Sequence, residues 1–336
     1  MKRGRGKGNF PLTYIRMFME IQSLGAFDND YKSLWELWNQ NFGFIYPITS
    51  DLFSRNIINH PGLCKAASFV AFEENRAVGY ILVKTEHLLP HDEYNKVGWI
   101  SLFLVDDKYR KKGIGTKLLE AAETVLKERG VKKIHLGRDY DNFFPGLPFD
   151  LKQSAPWFEK RGFRFSYSTH DLIRSLDEKT PKLPIVDSPY TFRQATKDDF
   201  SSLRQLIVNN WPTRWLNEFD DYLAKGGTGE EYFIALDKSA VCAFCKVVLP
   251  SAPLKLISYS STWRARFKEL AGIGPLGVDR NYRGRHLGYN IVASAVNHCI
   301  GKATDIIIDW TNLIDFYRQF GFEIWKSYMY FEKEEK

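Results

Sequence analysis

The chain has 336 residues, of which 44% are apolar, 15% aromatic and 26% charged, a makeup that suits two packed domains and excludes disorder over most of the length. No run approaches the roughly 18 uninterrupted apolar residues of a membrane span, and the start Met1-Lys2-Arg3-Gly4-Arg5-Gly6-Lys7-Gly8 has no apolar signal core behind its charges, so a cytoplasmic protein with no membrane partner is expected. The net charge of +7 lies mostly in the first half, with 28 Lys/Arg against 23 Asp/Glu in residues 1–189 and 19 against 17 in residues 190–336. This bias suits a polyanionic small molecule as well as nucleic acid, and residues 1–11 are expected to be a solvated basic arm and not a nucleic-acid contact.

Along the chain, a short strand at Ile15-Arg16 precedes a helix carried by Leu34, Leu37 and Trp38. Apolar runs at 68–72, 77–84 and 99–105 have strand length, and Glu73-Glu74-Asn75-Arg76 joins the first two as a hairpin. A basic, glycine-bearing loop follows and opens a helix with Leu118, Leu119, Ala122, Val125 and Leu126 on one face. A strand at 133–136 leads into a polar and aromatic loop at 137–148, and the half closes on a turn ending in Gly162-Phe163. Prolines 181, 184 and 189 among charged residues mark a linker at 177–189, which divides the chain into domains 12–176 and 190–336.

The order then repeats. Phe192-Arg193 precedes a helix with Phe200, Leu203, Leu206 and Ile207, started by the capping-box-like pair Thr196 and Asp199. Strand-like runs at 232–236 and 241–249, a helix with Ile291, Val292, Ala295 and Cys299 on one face, a strand at 305–309 and a turn ending in Gly321-Phe322 complete it. Each half reads as α+β, a mixed, largely antiparallel sheet flanked by helices. The four cysteines have no framework spacing and fit a reducing compartment. Cys242 and Cys245 have the spacing of half a zinc knuckle, but they lie in a strand that is expected to point them to opposite faces, so no metal is expected.

The strongest internal match aligns Val105-Asp106-Asp107-Lys108-Tyr109-Arg110-Lys111-Lys112-Gly113-Ile114-Gly115 with Val278-Asp279-Arg280-Asn281-Tyr282-Arg283-Gly284-Arg285-His286-Leu287-Gly288, identical at five of eleven positions. Duplication is the reading. In the first copy, a strand ends in a loop whose glycines let an anion approach the main chain at a helix start, where free N–H groups and the helix dipole favour negative charge. Arg110, Lys111 and Lys112 add full charges around it. The alternative is an ordinary strand-to-helix turn with solvated charges. Gly272-Ile273-Gly274-Pro275-Leu276-Gly277 fits a dinucleotide pattern, but a loop and not a helix is expected after it, so it is set aside.

The spacing Arg-x-x-Gly-x-Gly after a strand and before an amphipathic helix resembles the coenzyme A pyrophosphate loop of the GNAT superfamily of N-acyltransferases. The resemblance extends over both halves and includes the ending Phe316-Tyr317-Arg318-Gln319-Phe320-Gly321-Phe322. It implies two tandem GNAT-type domains, acetyl-CoA as co-substrate with no metal, and coenzyme contacts from Leu104, Val105, Arg110, Lys111, Lys112, Gly113, Ile114, Gly115 and Thr116. It also implies direct attack of a primary amine, on a small molecule or a peptide, on the acyl thioester, with a tyrosine protonating the departing thiolate.

Neither half carries the whole pattern. The second half has Tyr317 at the tyrosine position, while the first has Phe158, which cannot donate a proton. Conversely, Gly113 of the first loop becomes His286 in the second. The asparagine that family members often carry seven residues before the tyrosine is Leu151 or Trp310 here. Within 137–148, Tyr140 is the candidate replacement acid, and Asp139 or Asp141 the candidate base or amine-holding carboxylate. The expected function is an N-acetyltransferase; the alternative is a non-catalytic coenzyme-binding sensor or scaffold that keeps the fold.

Overall fold

The computed structural model describes residues 19–26, 31–85, 96–139, 143–253 and 261–335. The basic arm, the Ile15-Arg16 strand, Tyr140 and Asp141 lie outside the described residues.

The first half runs β1 (Met19–Ser23), α1 (Tyr31–Phe42), α2 (Ser50–Phe53), β2 (Phe69–Glu73), β3 (Arg76–Thr85), β4 (Val97–Val105), α3 (Ile114–Glu128), β5 (Lys133–Leu136), the two-residue β6 (Leu147–Pro148), α4 (Ala155–Glu159) and β7 (Arg164–Ser175). The second runs β8 (Thr191–Gln194), α5 (Phe200–Asn210), α6 (Arg214–Ala224), β9 (Tyr232–Asp237), β10 (Ala240–Val248), β11 (Leu270–Val278), α7 (Leu287–Cys299), β12 (Asp305–Thr311), α8 (Ile314–Arg318) and β13 (Glu323–Glu334). No helix among the described residues is long and apolar enough to cross a membrane.

Local chemistry accounts for most of these boundaries. Glu74 and Asn75 take the left-handed conformation that a tight hairpin demands, joining β2 to β3. Thr196 and Asp199 form the expected capping box ahead of α5. α3 buries Leu118, Leu119, Ala122 and Leu126 against the sheet, and α7 buries Ile291, Val292, Ala295 and Cys299. At about 1.5–3 kcal/mol for each large aliphatic side chain removed from water, these stripes hold the helices in place.

The strand order is β1-β2-β3-β4-β5-β13-β7-β12-β11-β10-β9-β8, with β6 attached to β13. The halves therefore exchange their last strands. β13, from the end of the chain, lies between β5 and β7, while β7, from the first half, pairs with β12 and β13 and, among the described residues, with no first-half strand. One apolar core crosses the junction, joining Leu37, Trp38, Tyr46 and Phe144 of the first half to Val248, Trp263, Leu270, Ile307 and Tyr328 of the second.

One sequence expectation needs correction, and one strand gave no sign of itself in the sequence. The glycine-rich segment Gly272–Gly277 lies inside that strand, β11. Pro275 is accommodated because β11 pairs with β12 only at Leu270, Ala271 and Gly272, and its register against β10 shifts between Ile273 and Leu276, so no ladder bond is asked of the proline. In β10, Cys242 is the extra residue of a β-bulge, with Val241 facing Leu236 and Ala243 facing Ala235. The bulge turns Cys242 and Cys245 into one core instead of onto opposite faces, and burial pushes the Cys242 thiol up to about 11. Among the described residues, no group of His, Cys, Asp and Glu could hold a metal ion.

Candidate functional site

β4 and β5 pair in parallel from Val97 with Lys133 to Ile100 with Leu136. The pairing ends when the Arg138 N–H turns away to the carbonyl of Phe144, through left-handed backbone at Gly137 and Arg138. A side chain at 137 would put its Cβ 2.5 Å from the Phe144 carbonyl oxygen, so glycine is required there. On the opposite strand, Leu82 faces Leu102 and Val83 faces Ile100, leaving Ser101 as the extra residue of a bulge in β4. Between the parted strands lies a slot of about 80 Å³ whose walls include Trp38, Phe42, Ser101, Leu102, Phe103, Gly137, Phe144 and Phe158.

The candidate anion loop closes the end of β4. The Asp106 side chain accepts from Lys108 N at 3.0 Å and folds the turn Asp107–Tyr109. Gly113, at φ 82°, then caps the 15-residue α3 with no side-chain hydrogen bond, so the first-turn N–H groups are left without a side-chain cap. A Cβ at Gly113 would meet nothing within 4 Å. The left-handed backbone and the open space in front of it are therefore what glycine provides, not room against other protein atoms.

Arg110 is folded back: its Nε donates to the Val105 carbonyl at 3.0 Å, it pairs with Asp107 at 2.5 Å, and its guanidinium lies over Phe42. Lys112 covers the Tyr109 ring. The Thr116 hydroxyl accepts from Arg161 at 2.6 Å, which brings to the helix start a cation that spacing along the chain did not reveal.

Buried polar groups lie on the sheet beside the slot. Asp139 and Lys84 are 0% exposed and Ser101 is 4% exposed. The Ser101 hydroxyl donates to Asp139 Oδ2 at 2.7 Å, and Lys84 Nζ lies 3.1 Å from the same oxygen. Asp139 therefore does not face an open groove. One strand over, the Tyr330 hydroxyl and His135 Nδ1 are 2.5 Å apart, and Arg138 lies over the Tyr330 ring. Burial, then the charges of Arg138 and Lys133, lower the His135 pKa to about 3, while burial raises that of Tyr330, so a neutral imidazole and a neutral hydroxyl share this hydrogen bond. Near the slot, Asp150 accepts from Tyr46 at 2.6 Å and from Lys326 at 2.8 Å. Burial pushes the Asp150 carboxyl up, but these two hydrogen bonds outweigh it and hold the group below its usual range. Tyr330 and Lys326 belong to β13, so the exchanged strand furnishes part of the first half's surroundings.

The second half is built alike and filled differently. Its loop repeats the cap, with Asp279 accepting from Asn281 N and with His286 at φ 59° in the place of Gly113. The same left-handed turn forms with a Cβ present, at a strain of roughly 1–2 kcal/mol. A cavity of about 330 Å³ fronts this loop between Arg283, Gly284, His286 and Phe316. Tyr317 is 4% exposed, packed against Phe316 and Phe322 in the second-half core, and burial raises its pKa far above the usual tyrosine value. At its aligned position in the first half, Phe158 lines the slot.

Where β12 ends, buried Asp171 accepts from Trp310 N at 3.2 Å, from Trp263 Nε1 at 3.0 Å and from the Tyr328 hydroxyl at 2.8 Å. Burial pushes the Asp171 carboxyl up to about 6 although all three hydrogen bonds pull it down. Because an unfolded aspartate titrates near ~3.9, the native chain holds a proton that the unfolded chain lacks between about pH 4 and 6. This contribution is fully present below about pH 4 and lost as pH rises through 6, at about 1.4 kcal/mol per unit, or ~3 kcal/mol in all. Neutral, buried His135 contributes a slope of opposite sign over the same range, so the Asp171 contribution is read as a difference: in denaturant unfolding between pH 4 and 6 the parent is expected to lose about 1.4 kcal/mol per pH unit relative to Asp171→Asn, and equal slopes in the two proteins would disprove the linkage.

Comparison with known proteins gives a consistent picture. The acetyltransferase (GNAT) family profile matches residues 31–144 and 191–322. N-alpha-acetyltransferase 30 of Schizosaccharomyces pombe is 35% identical over 96 residues, covering 29% of this chain and 56% of that protein. An uncharacterized N-acetyltransferase of Methanocaldococcus jannaschii is 26% identical over 141 residues, covering 40% and 61%. The matches thus span little more than half the length of these relatives. Among solved structures, a GCN5-related glucosamine N-acetyltransferase region of a fungal multi-domain GH3 beta-N-acetylglucosaminidase superposes with a TM-score of 0.80 at 24% identity, over 94% of this chain and 38% of that one. A tandem GNAT protein from the clavulanic acid biosynthesis pathway superposes with a TM-score of 0.64 at 15% identity, over 94% and 98%. At these identities the likeness to solved structures is one of fold.

Proposed function

The chain belongs to the acetyltransferase (GNAT) family, and from that premise we propose that it transfers an acetyl group from acetyl-CoA to a primary amine at the slot of its first half. The observation that carries this reading is that two walls of the slot also touch the loop and first turn of an uncapped, glycine-started helix, Phe42 lying under Arg110 and Phe103 beside Gly115. The pyrophosphate would be held by the N–H groups and cations of residues 110–116, with Arg161 beside them, and the pantetheine arm would lie between the parted β4 and β5. The unpaired backbone of the Ser101 bulge then borders the thioester. In the second half, Asp171, Trp263 and Tyr328 occupy the end of β12, which supports one working site per chain.

For the acceptor we propose a small polyhydroxylated amine, with glucosamine as the first compound to test. Support comes from the named activity of the structural neighbour that matches 94% of the chain. It comes also from the mixture of ring faces and hydrogen-bonding groups at Tyr46, Asp150 and Lys326. The four cysteines are buried and unpaired, which suits work in a reducing, cytoplasmic setting.

Thiol release from acetyl-CoA is expected to be saturable with glucosamine and weaker with a short peptide carrying a free amino terminus. The order reversed would move the acceptor to peptide amines. Coenzyme binding without thiol release for either would favour the second reading, a coenzyme-binding sensor, which the loss of the tyrosine at Phe158 supports.

A further inference from the structure

We infer that Ser101 and Asp139, backed by Lys84, form the proton relay of the first-half slot; the inference rests on the reading of that slot as the acetyl-transfer site. Forming an amide from an amine and a thioester requires one proton to leave the nitrogen and one to reach the sulfur. The position aligned with the second half's tyrosine is Phe158, which can do neither. His135 Nδ1 is already committed to the Tyr330 hydroxyl. Ser101 is a hydroxyl on the slot wall with a carboxylate directly behind it, 2.7 Å from its Oγ.

The arrangement behind the serine is not that of a simple brace. Buried carboxylates normally satisfy both oxygens, because each lone pair withdrawn from water without a partner costs about 1–3 kcal/mol. Here Asp139 Oδ2 takes both Ser101 and Lys84, whereas Oδ1 has no hydrogen-bond partner among the described residues. Among the described residues, Lys84 Nζ makes its ionic contact and no well-directed hydrogen bond. Lys84 thus sets a positive charge beside the carboxylate, and Asp139 Oδ1 is left without a hydrogen-bond partner among the described residues.

The steps balance. As the amine nitrogen bonds to the carbonyl carbon, its proton passes to Ser101 Oγ, and the serine's own proton passes to Asp139 Oδ2, leaving a neutral carboxyl beside Lys84. When the C–S bond breaks, its electron pair goes to sulfur. The proton then returns from Asp139 through Ser101 to the thiolate. Amide and free thiol leave, and the chain is unchanged. One dyad thus serves first as base and then as acid.

The test measures thiol release from acetyl-CoA with glucosamine, and with a short peptide amine as second acceptor, together with calorimetric coenzyme affinity. Ser101→Ala, which leaves the Lys84–Asp139 pair in place, is expected to lower kcat by ~100-fold or more, with coenzyme affinity within about two-fold of the parent. Ser101→Thr, which restores a hydroxyl, is expected to recover most of the loss, as a purely steric role would not. Gly113→Val in parallel keeps the two levels of the argument apart. If Ser101→Ala turns over within about three-fold of the parent while Gly113→Val loses coenzyme and turnover, the relay is wrong and the site right. If Gly113→Val alters neither, or no thiol is released with either amine, the site reading falls and the relay with it.

Discussion

Residues 1–189 made alone, without the second half, are expected to show no cooperative unfolding transition. In the intact chain β7 is held on both sides by second-half strands, and β5 is covered by β13. Cutting at the linker strips β7 of both partners and leaves an open edge on β5, a template for association with other chains. It also removes from the shared core the side chains of Trp263, Leu270, Ile307 and Tyr328. At about 1.5–3 kcal/mol each, that loss rivals the ~5–15 kcal/mol that holds an ordinary domain folded. Residues 190–336 suffer the mirror defect, because among the described residues β13 pairs only with β5, β6 and β7. Co-expression of the two pieces should restore a soluble complex with a single melting transition. The competing outcome is that β7 folds back into the place of β13 beside β5; a cooperative melt of the lone first-half piece would demonstrate it and refute the dependence argued here.

That exchange was not legible in the sequence, and the reason is physical. β7 and β13 are both 12-residue strands following an aromatic turn, so each satisfies the pattern of the other's position. Local propensity cannot say which of two similar strands completes which sheet. β11 was hidden for a different reason: Gly272, Gly274 and Pro275 are punctuation in any local reading, and only the shifted register against β10 makes them tolerable within a strand. What could be read was the loop at 105–115, because its charges, glycines and following helix are contiguous and occur twice. Ser101, Lys84, His135 and Tyr330 gave no such signal. They are scattered residues of apolar strands, and only the sheet brings Lys84 to Asp139 and Tyr330 to His135. A lone polar residue inside an otherwise apolar strand was the available hint.

The two loops differ most at one backbone position, and exchanging side chains there separates the halves by function. Gly113→Val is expected to weaken coenzyme binding by tenfold or more and to lower turnover at subsaturating acetyl-CoA to the same degree. Two effects add. A β-branched residue at φ 82° is strained by at least ~1–2 kcal/mol, so the turn relaxes and the first N–H groups of α3 lose their common direction. The new methyl groups also stand in the space that the loop now leaves open. Since ~1.4 kcal/mol is a factor of ten in affinity, a backbone strain of this size together with the filled space reaches the expected loss, while the helix itself, anchored by Leu118, Leu119, Ala122 and Leu126, stays folded. His286→Val in the second loop is the matched control. That position already carries a side chain in the same left-handed turn, so the change is expected to leave coenzyme stoichiometry at one site per chain and turnover within a few fold of the parent. Tyr317→Phe should behave like the control, because its hydroxyl lies in the second-half core and not on the first-half slot. Were Tyr317→Phe or His286→Val to abolish turnover while Gly113→Val spared it, acetyl transfer would belong to the second half, with His286 tolerated at its phosphate loop.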